Sequence, residues 1–114
     1  HITSDELLTW NQIYAMIARA AGAELHTVHA PSSLIARYHK DWGDGLLGDK
    51  SHSVLFDNSK IKRFVPDFVC TVPYAQGVRE TIAWFDADPS RQVIDPGFDG
   101  AMDDIIAAMA RATA

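Results

Sequence analysis

Asp57-Asn58-Ser59-Lys60-Ile61-Lys62-Arg63-Phe64-Val65-Pro66-Asp67-Phe68 reads as a short capped helix that stops at a proline. Asp57 can accept a backbone N–H at the helix start, and the basic Lys60, Lys62 and Arg63 suit the negative C-terminal end of the helix dipole. Pro66 cannot continue the helix. Before this stretch, Ser53-Val54-Leu55-Phe56 reads as a short strand delivering the chain into the helix. After it, Phe68-Val69-Cys70-Thr71 is a second extended run. Pro73 then opens a helix to about Ala87, with Val78, Ile82 and Phe85 as its apolar face, Tyr74 and Trp84 at the margins, and Asp88-Pro89 closing it.

Nearer the start, residues 1–3 are a strand candidate. Thr9 sets a capping box with Gln12, and Ile13, Met16, Ile17 and Ala20 recur at helical spacing as far as Gly22. Residues 24–30 alternate in the manner of a half-buried strand, and Pro31 opens a helix over Ser32 to Tyr38. Residues 39–53, with Gly43, Gly45 and Gly48 among charged side chains, read as a long loop of the kind that is functional or mobile. The expected organisation is a portion over residues 1–89, a turn-rich linker over 90–98, and a C-terminal helix over 99–114 capped by Asp99, with Met102, Ile105, Ile106 and Met109 as its stripe. The expected fold class is α/β, helices with a few short strands.

The 114 residues carry a formal net charge of −5, with 47% hydrophobic and 22% charged residues, an ordinary composition for a globular domain. A chain of this length can bury roughly two thirds of its unfolded surface. The acidic balance argues against a dedicated nucleic-acid binder, which needs a basic surface to displace counterions from phosphates. No apolar run reaches the length of a membrane span, and the single cysteine excludes a disulfide framework, so a cytoplasmic location is expected. Opening on His1-Ile2-Thr3 without a methionine, the chain looks like a segment of a larger polypeptide, although a trimmed purification tag leaves the same start.

Chemistry-bearing patterns are sparse. His26 and His29, three apart on an alternating run, point to opposite faces and suit no common metal. No serine sits in a glycine-flanked nucleophile elbow, and Cys70 lies in an apolar run typical of inert packing cysteines. The glycines of residues 43–48 follow a helix rather than a buried strand, so they fit turns better than a phosphate loop. The cationic set Arg37, His39, Lys40, Lys50 and His52, with Lys60 nearby in sequence, has the charge-assisted donors that a diphosphate needs. By residue type it equally fits a solvated basic rim.

Asp57, Ser59-Lys60 and Pro66, followed by Gly77-x-x-x-Thr81-x-x-Trp84, resemble the C-terminal portion of the extended short-chain dehydrogenase/reductases, the NAD-dependent epimerase/dehydratase family. His1 to Glu6 and Leu8-Thr9-Trp10 fit the same order, and the resemblance covers residues 1–88. It implies a substrate-binding portion, lacking the Rossmann core, of an enzyme that oxidises a sugar hydroxyl transiently by hydride transfer to NAD or NADP. The implied partners are a nucleotide sugar or related small molecule and the missing N-terminal Rossmann portion. Family members commonly place arginines shortly before the Asp-x-Ser-Lys element. Here Leu46 to His52 contains none, and Lys50 and His52 are the nearest substitutes, with Arg37 a further anion contact. The family's tyrosine four residues before a lysine is also absent, since Tyr14, Tyr38 and Tyr74 are followed at that distance by Ala18, Trp42 and Val78. This portion alone therefore binds no cofactor and is not catalytic. The rival expectation is a free-standing binding or dimerisation domain whose apolar faces near Trp10, Trp84 and the Met102–Met109 stripe dock a partner or form a homodimer.

Overall fold

The computed structural model describes residues 1–112. Its regular elements are helices: α1 (Trp10–Ala20), α2 (Ser32–Tyr38), α3 (Lys40–Leu47), α4 (Ser59–Phe64), α5 (Tyr74–Asp86) and α6 (Pro96–Ala112), with 3-10 turns at Asp49–Ser51 and Pro89–Arg91. Among the described residues there is no strand, which overturns the expected α/β class. Residues 1–3, 24–30, 53–56 and 68–71 have β-compatible composition, but a strand exists only where a neighbour supplies ladder hydrogen bonds. Here none does. Leu25 and Val28, on opposite faces of the alternating run, are 40% and 49% exposed, so neither apolar side chain is covered as a half-buried strand requires.

The helices group into two compact units: residues 1–25 with 54–92, and residues 26–53 with the segment from Val93 onward. In the first unit, α1 starts and stops as its sequence dictates. Thr9 Oγ1 accepts from the Gln12 N–H (3.3 Å) while Gln12 Oε1 accepts from the Thr9 N–H (2.8 Å). At the other end Gly22 adopts φ 65°, and the N–H groups of Ala23 and Gly22 return to the carbonyls of Ala18 (2.9 Å) and Arg19 (3.3 Å), a Schellman stop. α1 packs on α5, where Ile17, Tyr74, Val78, Ile82 and Phe85 line a groove of about 300 Å³. Val78, at 8% exposure, is the unit's buried apolar side chain. α4 ends at Phe64, with Val65 as its C-cap directly before Pro66, as the proline requires.

In the second unit α2 packs against α3 and α6. The expected loop over residues 39–53 is instead α3 and a 3-10 turn. Gly43 is buried, and a Cβ built there would lie 2.3 Å from Ala36 Cβ, so the two helix backbones approach at a point where no side chain fits. Trp42 is half-buried, stacked on His39 (4.0 Å between centroids, 12° between planes) and meeting Phe98 at 4.8 Å. Ile105 of α6 is 6% exposed. The last helix begins at Pro96, not at Asp99. Asp95 Oδ1 accepts from the N–H groups of Gly97 (2.9 Å) and Phe98 (3.2 Å), and Pro96 supplies a preset first turn.

Large apolar side chains such as Trp10 (71%), Leu55 (70%) and Phe64 (77%) face solvent.

Two glycines test this packing in opposite directions. Gly43→Ala should lower stability in urea by about 1–3 kcal/mol through overpacking. Gly77→Ala, inside α5 with open space around the missing Cβ, should raise it by about 1 kcal/mol. Circular dichroism of both variants against urea reads the two signs, and equal effects would refute the close approach at Ala36.

Candidate functional site

Two side-chain constellations qualify for description, one in each unit. In the first unit the extended segment 1–6 is clasped to the turn that opens α4. Asn58, 5% exposed, offers its amide to both backbone groups of Thr3: the Thr3 N–H donates to Oδ1 (3.1 Å), and Nδ2 donates to the Thr3 carbonyl (2.6 Å) and to Asp5 Oδ1 (3.1 Å). Lys62 Nζ donates to Asp5 Oδ2 (2.7 Å), and Glu6 Oε2 accepts the Tyr74 N–H (2.6 Å), capping α5 where Pro73 has no side chain to do so. Cys70, expected within a packed run, is exposed, with Sγ donating to the Thr3 carbonyl at 3.3 Å.

Asp57 acts as expected, one position further out. Its carboxylate accepts from the Ser59 N–H (2.8 Å) and hydroxyl (2.6 Å), while Asn58 occupies the N-cap position. These Ser59 hydrogen bonds, aided by Arg63 and Lys62, hold the Asp57 carboxyl below the usual carboxylate range. Lys62, then Asn58, do the same for Asp5, and Ser90 does it for Asp88.

In the second unit lie the three anion-contact candidates. Arg37 lies in the last turn of α2, Lys50 sits in the 3-10 turn and His52 follows it; all three are exposed. Lys50 Nζ folds back to 3.5 Å from where a Gly45 Cβ would stand, so that glycine lets the ammonium lie along α3. The turn holding it is tied by Ser51, whose N–H (3.2 Å) and hydroxyl (2.7 Å) both donate to the Gly48 carbonyl. The rest of the cationic set is engaged or elsewhere. His39 Nδ1 accepts the Trp42 N–H at 3.4 Å, capping α3, and Lys40 pairs with Asp44, whose carboxylate raises the lysine's pKa. Lys60 belongs to α4 in the first unit. With Asp44 matched by Lys40, the Lys50 ammonium has no hydrogen-bonded or ion-paired counter-charge among the described residues. The structure thus leaves Arg37, Lys50 and His52 presentable to an anion, without binding them into one preformed pocket.

Among the described residues, no group of three or more His, Cys, Asp or Glu could hold a metal ion, and no helix is long and apolar enough to cross a membrane. Compared with family models, curated proteins and solved structures, the chain gives no significant match to any. The Asn58 clasp was missed from sequence. Only the polar residue inserted between a capping aspartate and Ser59 hinted at it, and nothing local says that its partner is 55 positions away.

Asn58→Ala should cost about 1–3 kcal/mol, because it strands the Thr3 N–H and leaves the Thr3 carbonyl only the weak Cys70 thiol donor, and should speed amide exchange at Thr3. Unchanged exchange there would refute the clasp. Acid should also weaken the first unit. Carboxyls held low in the folded state contribute stability above their ordinary value near 4, and that contribution is lost as pH falls through the depressed folded value. Asp57→Asn should flatten this acid limb in a pH series of helical signal; an identical limb in the variant would rule Asp57 out as a contributor.

Proposed function

We propose that the chain is the substrate-binding C-terminal part of an NAD(P)-dependent sugar-nucleotide epimerase/dehydratase-like oxidoreductase of the cytoplasm. The observation that supports this reading most is the clasp. The stretches carrying the family resemblance, His1 to Glu6, the Asp57 to Lys60 turn and the Gly77 to Trp84 helix, are far apart in sequence, yet they meet in one unit through Asn58–Thr3, Lys62–Asp5 and Glu6–Tyr74.

The residues present do not suit NAD(P) itself. Tyr14 begins no Tyr-x-x-x-Lys pair and lies against Trp10 at 6.2 Å between centroids, Tyr38 ends α2, and Tyr74 starts α5 under the Glu6 carboxylate. The cofactor would be held by the rest of the enzyme, and no step of hydride or proton transfer falls to this chain. Its contribution is orientation: Lys50, His52 and Arg37 would meet the anionic part of the substrate, and their binding energy would be used to align the reacting carbon elsewhere. A second reading, a free-standing binding or dimerisation domain without enzymatic activity, is favoured by the large exposed apolar side chains.

The coding DNA upstream of His1 discriminates between them. A continuous frame encoding a glycine-rich strand-turn-helix and a tyrosine-lysine pair supports the enzyme; a start codon directly before His1 removes it. In the complete enzyme, Lys50→Ala should raise the substrate KM about tenfold, the effect of one charged contact of ~1.5 kcal/mol. An unaltered KM takes Lys50 out of the site.

A further inference from the structure

α6 uses only part of its apolar face inside its own unit. Ile105 is buried, while Phe98, Met102 and Ile106, spaced four residues apart along one ridge, are 51%, 41% and 44% exposed. Directly beside that ridge, each one residue on, Asp99 and Asp103 form a parallel acidic row. No hydrogen bond or ion pair engages either carboxylate among the described residues. An apolar ridge with an acidic border calls for an apolar knob with a basic border.

The same sequence contains one. α4, Ser-Lys-Ile-Lys-Arg-Phe, holds three cations and no acid. Phe64, at 77% exposure, projects beside the exposed Lys60 and Arg63, while Lys62 is committed to Asp5. Lys60 and Phe64 are four apart on one face, the same step that separates Asp99 from Asp103.

We propose that α6 of one copy of this chain receives α4 of a second copy, with Phe64 seated on the Phe98–Met102–Ile106 ridge and Lys60 and Arg63 facing Asp99 and Asp103. The contact is apolar at its centre and ionic at its rim, so the ridge supplies the burial and the charges select the orientation. Stable association needs roughly 800 Å² per partner, more than one knob covers, so the association is weak and reversible. Screening makes it weaker still in high salt.

Sedimentation velocity of the 114-residue chain over a wide concentration range tests this, with helical circular dichroism confirming that each sample is folded. The expected result is concentration-dependent association that weakens as salt is raised. Lys60→Glu with Arg63→Glu, or Asp99→Lys with Asp103→Lys, should each weaken it roughly tenfold or more, and combining all four should restore it. All four positions are exposed, and circular dichroism checks that each reversal leaves the helices intact. Phe64→Ser should abolish association without altering the helical signal. A folded chain that stays monomeric at every concentration overturns the proposal and leaves the ridge to a different polypeptide. Association that ignores the charge reversals places the contact elsewhere and overturns it equally.

Discussion

Asn58 satisfies both the N–H and the C=O of Thr3 with one side-chain amide, in nearly solvent-free surroundings at 5% exposure. An extended segment normally finds those partners in an adjacent strand, and here a side chain provides them. Asp5 and Glu6 can then reach Lys62 and the first N–H of α5, so one amide brings the chain start, α4 and α5 together. Val78 is the buried apolar side chain of that unit, so polar stitching carries a large share of its specificity. The lowered carboxyl pKa of Asp5 arises from the same stitching, through Lys62 and then Asn58.

The second unit depends on a different constraint, close backbone approach. Gly43 lets α3 meet Ala36 of α2 without a side chain between them, and His39 then both caps α3 and stacks on Trp42. The consequence for function is that the segment expected to be a mobile loop is ordered helix, with Lys50 in the turn that follows it. A cation carried on an ordered turn loses less freedom on meeting an anion than one on a loop that must first be organised.

The three anion-contact candidates could be named from residue type, but their availability could not. Lys40 and His39 looked equivalent to Lys50 and His52 until the ion pair with Asp44 and the cap on Trp42 removed the first two. Competition between a ligand and a neighbouring side chain is decided by distance, and the relevant neighbours lie on the turn of a helix that the glycines had disguised. His39, Trp42, Gly43 and Leu46 do recur at helical spacing, which becomes visible once a glycine is counted as part of a buried face.

By itself the sequence determined the local events: the Thr9–Gln12 box and Gly22 stop of α1, the proline-led starts of α2 and α5, and the end of α4 before Pro66. Each is governed by hydrogen bonds or torsions within a few residues, so adjacent letters contain the whole cause. Only the tertiary structure decided whether extended runs became strands and whether the glycine-rich segment became helix. Alternation marks a segment as capable of β pairing but says nothing of whether a partner is present. Glycine costs a helix about 1 kcal/mol locally, and only a neighbour as close as Ala36 can make it the residue that fits.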